Sequence, residues 1–116
     1  MGGDYAPRKI VRGAVEALPS LRGHELVLIG DAAVVRHELK RLGVTDEIQV
    51  IDAPQVIGMN EAPVEAVRTK KDSSICRMVS LAAEGQLDAI ISAGNTGAFA
   101  AASQIRMKLL KGMARA

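Results

Sequence analysis

The sequence predicts an α/β domain, a mostly parallel sheet with helices on both faces. Three observations carry that reading. Helical and strand periods alternate almost from the first residue, the order that parallel strands with crossover helices require. The strand segments are short continuous apolar runs, as expected where both faces of a sheet are covered. Aromatic residues make up only 2% of the chain, so the core is to be built from Val, Ile, Leu, Met and Ala. Ala-rich helices packed on a sheet can do that.

The elements follow in order. Pro7 suits a first helical turn, where its missing N–H has no partner anyway. Ile10, Val11, Ala14, Val15 and Leu18 follow at helical spacing, and Pro19 stops the helix. Glu25 to Gly30 reads as a buried strand. Asp31 can cap the next helix, whose inner stripe is Val34, Val35, Leu39 and Leu42, ended by Gly43. A second strand reads at Glu47–Ile51, followed by a loop from Asp52 to Asn60. Pro63 opens a short helix. From Asp72 another helix carries Ile75, Met78, Val79 and Ala82 on one stripe and ends at Gly85. Leu87 to Ser92 reads as a third strand, and a last helix runs from Asn95 to about Lys111, with Gly112 as its stop.

The chain has 116 residues, 48% apolar and 24% charged, the balance of one globular domain. Its net charge of +2 does not advertise a polyanion partner. With so few aromatics there is no stacking platform for bases, so no nucleic-acid partner is expected. A single cysteine, Cys76, rules out an intramolecular disulfide and fits a reducing compartment. No apolar run approaches the roughly 20 residues of a membrane helix, and no secretory signal is visible. The default is a cytoplasmic enzyme or binding domain.

The two ends fit this picture poorly. Met1–Asp4 reads as a loop that follows a strand, and Met113–Ala116 stops one turn beyond a helix. About three strands is fewer than the four to six usual in a sheet. Residues 1–116 are therefore expected to form a partial single α/β domain, the N-terminal portion of a longer enzyme without its first strand, and to be poorly stable alone.

Three stretches can carry chemistry. In Ser92-Ala-Gly-Asn-Thr-Gly-Ala98 an apolar strand ends, two glycines bracket Asn95 and Thr96, and an Ala-rich helix begins. Glycine lets the backbone approach a ligand closely. The first N–H groups of a helix are unpaired and sit at the positive end of its dipole, so an anion is held there without further charge. The same residues serve equally as a plain cap with tight glycine packing. The second stretch runs from Ile57-Gly-Met-Asn-Glu-Ala-Pro63 through Arg68 to Ser74. There Arg68, Lys70 and Lys71 precede a helix start that Asp72, Ser73 or Ser74 can cap; a solvated charge cluster would look the same. The third is Gly2, Gly3 and Asp4, which can line a crevice or form an ordinary turn. Ligands of open α/β sheets gather beyond the carboxyl ends of the strands, where all three would lie.

The remaining candidates are weaker. Cys76 has no nearby His to make it a thiolate and reads as a packed small side chain. His24 and His37 follow no metal-ligand spacing and read as surface residues. Tyr5 reads as packing. The phosphate-loop and dinucleotide fingerprints are not found. Ile105 to Met113 mixes bases with apolar residues, which suits a packed helix or a membrane surface.

Taken together, these stretches resemble the PlsX family, the phosphate acyltransferases of bacterial phospholipid synthesis. The resemblance rests on Met1-Gly-Gly-Asp-Tyr-Ala-Pro7, Val27-Leu-Ile-Gly-Asp31, Val56 to Val64 with Arg68 to Ser74, and Ser92 to Ala98. Gly112-Met-Ala-Arg115 looks like the start of a further family segment. The family's fold is three-layer αβα with a mostly parallel sheet, like the isocitrate and isopropylmalate dehydrogenases and shared with the phosphotransacetylases; it would be incomplete here.

The resemblance implies that orthophosphate attacks the thioester of a long-chain acyl group on acyl carrier protein, giving acyl phosphate and the free carrier thiol. No cofactor, metal or enzyme nucleophile is implied. Carried onto matching positions, it makes Lys70, Lys71, Ser73 and Asn95 candidate catalytic residues. Ser74, Ser92, Gly94, Thr96 and Gly97 become candidate phosphate ligands, and Gly2, Gly3 and Asp4 crevice lining. Arg68, Lys108, Lys111 and Arg115 are the basic residues that can steer an acidic carrier. The implied setting is a cytoplasmic homodimer, with peripheral contact to the inner membrane face and to the downstream glycerol-3-phosphate acyltransferase. Two other readings stay open. One is an inactive fragment or binding remnant of that enzyme. The other is a phosphate acetyl- or butyryltransferase-like enzyme acting on acyl-CoA.

Overall fold

The computed structural model describes residues 1–44 and 48–113. Among these, five α-helices and two parallel strands form an α/β unit. α1 is Arg8–Ala17, followed by a 3-10 turn at Leu18–Ser20; then come β1 (Val27–Gly30), α2 (Ala32–Arg41), β2 (Gln49–Asp52), α3 (Pro63–Thr69), α4 (Ser74–Ala83) and α5 (Thr96–Arg106). Val27 pairs with Gln49 and Gly30 with Asp52 in parallel register. The β1–α2–β2 unit is the parallel motif that the alternating periods predict.

The start of α2 shows how tightly the sequence specifies this unit. The Asp31 carboxylate accepts the Val34 N–H at 3.0 Å, and Asp52, at the end of β2, accepts the Ala32 N–H at 2.9 Å. Two carboxylates thus satisfy donors that the helix itself leaves unpaired. At the other end Gly43 takes φ of 75°, the left-handed conformation that favours glycine, and the Val44 N–H reaches back to the Leu39 carbonyl at 3.0 Å. Gly85 closes α4 in the same way.

The core has two parts. Val11, Val35, Leu39 and Ile48 are buried between α1, α2 and the sheet, with Met1, Val15, Leu18, Leu28 and Val50 against them. Ile57, Ala66, Val67, Ile75, Cys76, Val79, Ala98 and Ala102 form the second part, where α3, α4 and α5 meet. Small residues on α5 let that helix lie close to its neighbours.

Several expectations need correction. Leu87–Ser92 does not form a strand: no strand among the described residues lies beside it to complete a ladder, and Ile91 is 92% exposed. Among the described residues the sheet therefore has two strands, not three. β1 begins at Val27 rather than Glu25, and Glu47 lies outside the described residues. On α2 only Val35 and Leu39 are buried, while Val34 and Leu42 stand on the rim; Ile10 is likewise exposed on α1. α5 ends at Arg106, five residues before Lys111. Lys108 has φ of 65°, which no helix accommodates, and Leu109 and Leu110 lack the burial that would hold another turn. Tyr5 is not packed: it is 67% exposed, with the Lys9 ammonium 4.4 Å above its ring. No helix among the described residues is long and apolar enough to cross a membrane.

Candidate functional site

The site is assembled from two helix starts and the turn between them. α5 begins at Thr96, and Asn95 caps it, its Oδ1 accepting the Ala98 N–H at 3.0 Å. That leaves the Thr96 and Gly97 N–H groups without an acceptor among the described residues. α4 begins at Ser74, capped by Ser73, whose Oγ accepts the Cys76 N–H at 3.3 Å. Gly94 brings the two starts together. A β-carbon built there would lie 3.5 Å from the Ile75 Cδ1 of α4 and 3.4 Å from the Ser92 hydroxyl. The starts of α4 and α5 thus lie near each other, and a helix start is where an anion is favoured.

The turn 56–61 ties these starts together. The Asn95 Nδ2 donates to the carbonyls of Gly58 at 3.1 Å, Met59 at 3.3 Å and Glu61 at 3.1 Å. The Glu61 carboxylate accepts the Gly58 N–H at 2.7 Å and the Lys70 ammonium at 2.6 Å. Lys70 also donates to the Val56 carbonyl at 2.7 Å. These two donors hold the Glu61 carboxyl below its ordinary range, the Lys70 ammonium contributing most. Gln55 joins the same assembly, since its N–H donates to the Asp72 carbonyl and its side chain accepts the Asp72 N–H.

The glycines in these loops mark close approaches. A β-carbon on Gly97 would sit 2.6 Å from the Pro63 Cγ, so the start of α5 rests on the start of α3. Gly2 lies against the Ile57 carbonyl, and a β-carbon on Gly3 would be 2.7 Å from the Ala93 carbonyl oxygen. The N-terminal segment therefore joins the other two loops, while Asp4 stays exposed.

The candidate residues divide by where their polar groups go. Asn95 is buried, with its amide and carbonyl both spent on main chain. Ser73 is fully buried under its cap, so its hydroxyl has no open path to a ligand. Lys70 is spent on Glu61 and Val56, and the Ser92 Oγ accepts the Gly94 N–H at 3.2 Å. Thr96, Gly97 and Lys71 remain exposed, whereas Ser74, the first residue of α4, is buried at 8% exposure. Arg68, Lys108 and Lys111 are exposed too; Arg115 lies outside the described residues.

Cys76 is fully buried, with its Sγ donating to the Val67 carbonyl at 3.7 Å. It is the packed side chain that the sequence suggests. His24 and His37 are exposed. Glu61 and Gln55 are the residues that sequence reasoning passes over. For Glu61 the usable signal was its position three residues after Gly58 in a tight turn, the spacing at which a Glu side chain folds back onto a main-chain N–H. Its partnership with Lys70 has no local signature.

Comparison with known proteins adds to this geometry. The whole chain, residues 1–116, matches the family model described as fatty acid synthesis protein. A phosphate acyltransferase of Fusobacterium nucleatum subsp. nucleatum is 42% identical over 116 residues, 99% of this chain and 35% of that protein. One from Pelotomaculum thermopropionicum is 44% identical over 115 residues, 99% of this chain and 33% of that protein. One from Clostridium acetobutylicum is 41% identical over 116 residues. The chain spans about 35% of the length of such relatives.

Proposed function

The chain belongs to the fatty acid synthesis protein family, the PlsX family that its motifs resemble, and on that premise we propose that it carries the phosphate-binding part of an acyltransferase. The transfer is of a long-chain fatty acyl group from acyl carrier protein to orthophosphate, giving the acyl phosphate used in phospholipid synthesis. The fold of the whole enzyme is then the three-layer αβα arrangement of the isocitrate and isopropylmalate dehydrogenases. The observation that carries the reading is the junction of the α4 and α5 starts at Gly94, in a chain whose relatives are named phosphate acyltransferases.

The chemistry asks little of side chains. A phosphate oxygen adds to the thioester carbonyl carbon, the C–S bond breaks, and the proton released by hydrogenphosphate balances the one taken up by the departing thiolate. Rate comes from holding the phosphate in line and from donors facing the oxyanion. The Thr96 and Gly97 N–H groups and the Thr96 hydroxyl hold the phosphate, and Ser74 adds a hydroxyl from α4. Lys71 supplies the cation. Asn95, Ser73 and Lys70, which resemblance would make catalytic, act by holding these groups in place. Gly2 and Gly3 close one side of the crevice.

The test uses a chimera in which residues 1–116 replace the matched third of the Fusobacterium nucleatum relative. It should release carrier thiol from palmitoyl-carrier protein only when phosphate is present, and prefer that donor to acetyl-CoA. Thr96→Ala and Lys71→Met should each raise the KM for phosphate about tenfold, the effect of losing one charge-assisted hydrogen bond. Unchanged values in both would remove the phosphate site from these loops.

A further inference from the structure

Lys70 and Lys71 are adjacent in sequence yet differ in what surrounds them. The Lys70 ammonium lies 2.6 Å from the Glu61 carboxylate and 2.7 Å from the Val56 carbonyl. Two of its three donors are thereby occupied and its charge is matched at contact distance. Lys71 is exposed, with no ion pair among the described residues. Glu61 is the node of this difference. Its side chain grips Lys70, at the C-terminal end of α3, together with the Gly58 N–H. Its own carbonyl receives the Asn95 amide, at the N-terminal end of α5.

We propose that Glu61 is a positioning residue that couples the two anion-binding loops and draws Lys70 away from the anion, leaving Lys71 as the cation presented to it. The proposal rests on the reading of these loops as a phosphate site. An exposed ion pair alone contributes little. Here the pair is one corner of a closed set of contacts. Moving Glu61 shifts the Gly58 turn, the carbonyls that hold Asn95, and through Asn95 the first N–H groups of α5. Loosening it would spread the phosphate donors without removing any of them.

The pair also explains why one segment places two ammonium groups side by side. One is structural and fixes the course of the chain between α3 and α4. The other is carried by that chain at the next residue. A carboxylate facing the phosphate would repel it; a carboxylate already saturated by Lys70 and an N–H does so far less.

The experiment compares the wild-type chimera with Glu61→Gln, Lys70→Met, their double variant and Lys71→Met. Phosphate KM and kcat are read separately, with thermal midpoints as a folding control. Glu61→Gln keeps an acceptor for the Gly58 N–H and loses only the charge that holds Lys70. Expected are similar rises in phosphate KM of about three- to tenfold for Glu61→Gln and Lys70→Met, with no further rise in the double variant, because both break one contact. The KM should rise by more than kcat falls. Lys71→Met should add its own effect to either. An unchanged KM in Glu61→Gln, or additive effects of Glu61→Gln and Lys70→Met, would overturn the proposal while leaving the phosphate site standing. If Lys71→Met and Thr96→Ala also leave the KM unchanged, the site and the proposal fall together.

Discussion

The side-chain amide of Asn95 donates to the main-chain carbonyl of Glu61 at 3.1 Å, across 34 positions of sequence. The same amide reaches Gly58 and Met59, while the Asn95 Oδ1 caps α5. The two halves of one side chain thus do separable jobs. Asn95→Asp keeps the cap but turns a carboxylate toward three carbonyls. It should destabilise by about 2 kcal/mol or more, the loss of two or three net hydrogen bonds plus repulsion. Asn95→Ala loses the cap as well, worth about 1 kcal/mol, but introduces no repulsion. Urea midpoints decide it: an Asp variant as stable as wild type would mean the clasp contributes nothing.

Gly97 and Gly13 should respond to the same substitution with opposite signs. Both lie in helices, where Gly→Ala gains about 1 kcal/mol of propensity. A β-carbon on Gly13 meets nothing within 4 Å, whereas on Gly97 it comes 2.6 Å from the Pro63 Cγ. Gly13→Ala should stabilise, and Gly97→Ala should destabilise by about 1–3 kcal/mol through overpacking. In a Pro63→Ala background the Gly97→Ala penalty should shrink by more than about 0.5 kcal/mol in a double-mutant cycle. Additive values would show that the two helix starts are not in hard contact.

What the sequence made legible was local. The caps made by Asp31, Ser73 and the Asn95 Oδ1, the turns at Gly43 and Gly85 and the helix start at Pro63 act within a few residues, and caps and turns need no more than that. The reach of the Asn95 amide to residues 58–61 has no such local signature. The glycine loop was legible for the same reason. Leu87–Ser92 was misread because an apolar run states only that a segment wants cover; whether a strand forms depends on a neighbour at a distance. Lys70 illustrates the same limit inside the site. Its sequence neighbours suggest a cation free for an anion, and only the fold brings Glu61 and the Val56 carbonyl to it. The burial of Val35 and Leu39, but not of Val34 and Leu42, was ambiguous because an amphipathic stripe has edges that sequence does not mark.

The Glu61 carboxyl should report on the turn as pH falls. Its folded-state pKa lies below the ordinary 4.5, chiefly because Lys70 donates to it and secondarily because the Gly58 N–H does. A carboxyl so depressed contributes stability that is present above the unfolded-state value and is lost as pH falls through the folded one. The Gly58 amide resonance should therefore titrate with a midpoint below 4.5. In Glu61→Gln that titration should vanish. A Gly58 amide that titrates at or above 4.5 would contradict the contact.

Cys76 should behave as core and not as chemistry. Its thiol is fully buried and bonded to the Val67 carbonyl, so a bulky disulfide reagent should reach it only when α3 and α4 separate. Labelling should follow the opening rate of that core and accelerate with urea. Rapid labelling in the native protein would mean that the helical half opens far more readily than its packing indicates.

Ile91 and Leu110 are the apolar residues most clearly out of place, at 92% and 77% exposed. Ile91 lies in a run whose main chain has no ladder partner among the described residues, and such a run invites pairing with another chain. Ile105, Met107 and Met113 extend the exposed apolar surface on and beyond the end of α5. The isolated 116-residue chain should therefore be poorly stable, bind a hydrophobic dye and sediment as a concentration-dependent mixture. Ile91→Lys with Leu110→Lys removes two exposed side chains without touching the core. Self-association and dye binding should fall while the unfolding free energy from urea titration stays within about 0.5 kcal/mol, as for surface substitutions generally. A wild-type chain that is monomeric, silent to the dye and sharply cooperative on heating would show that this surface is not a liability.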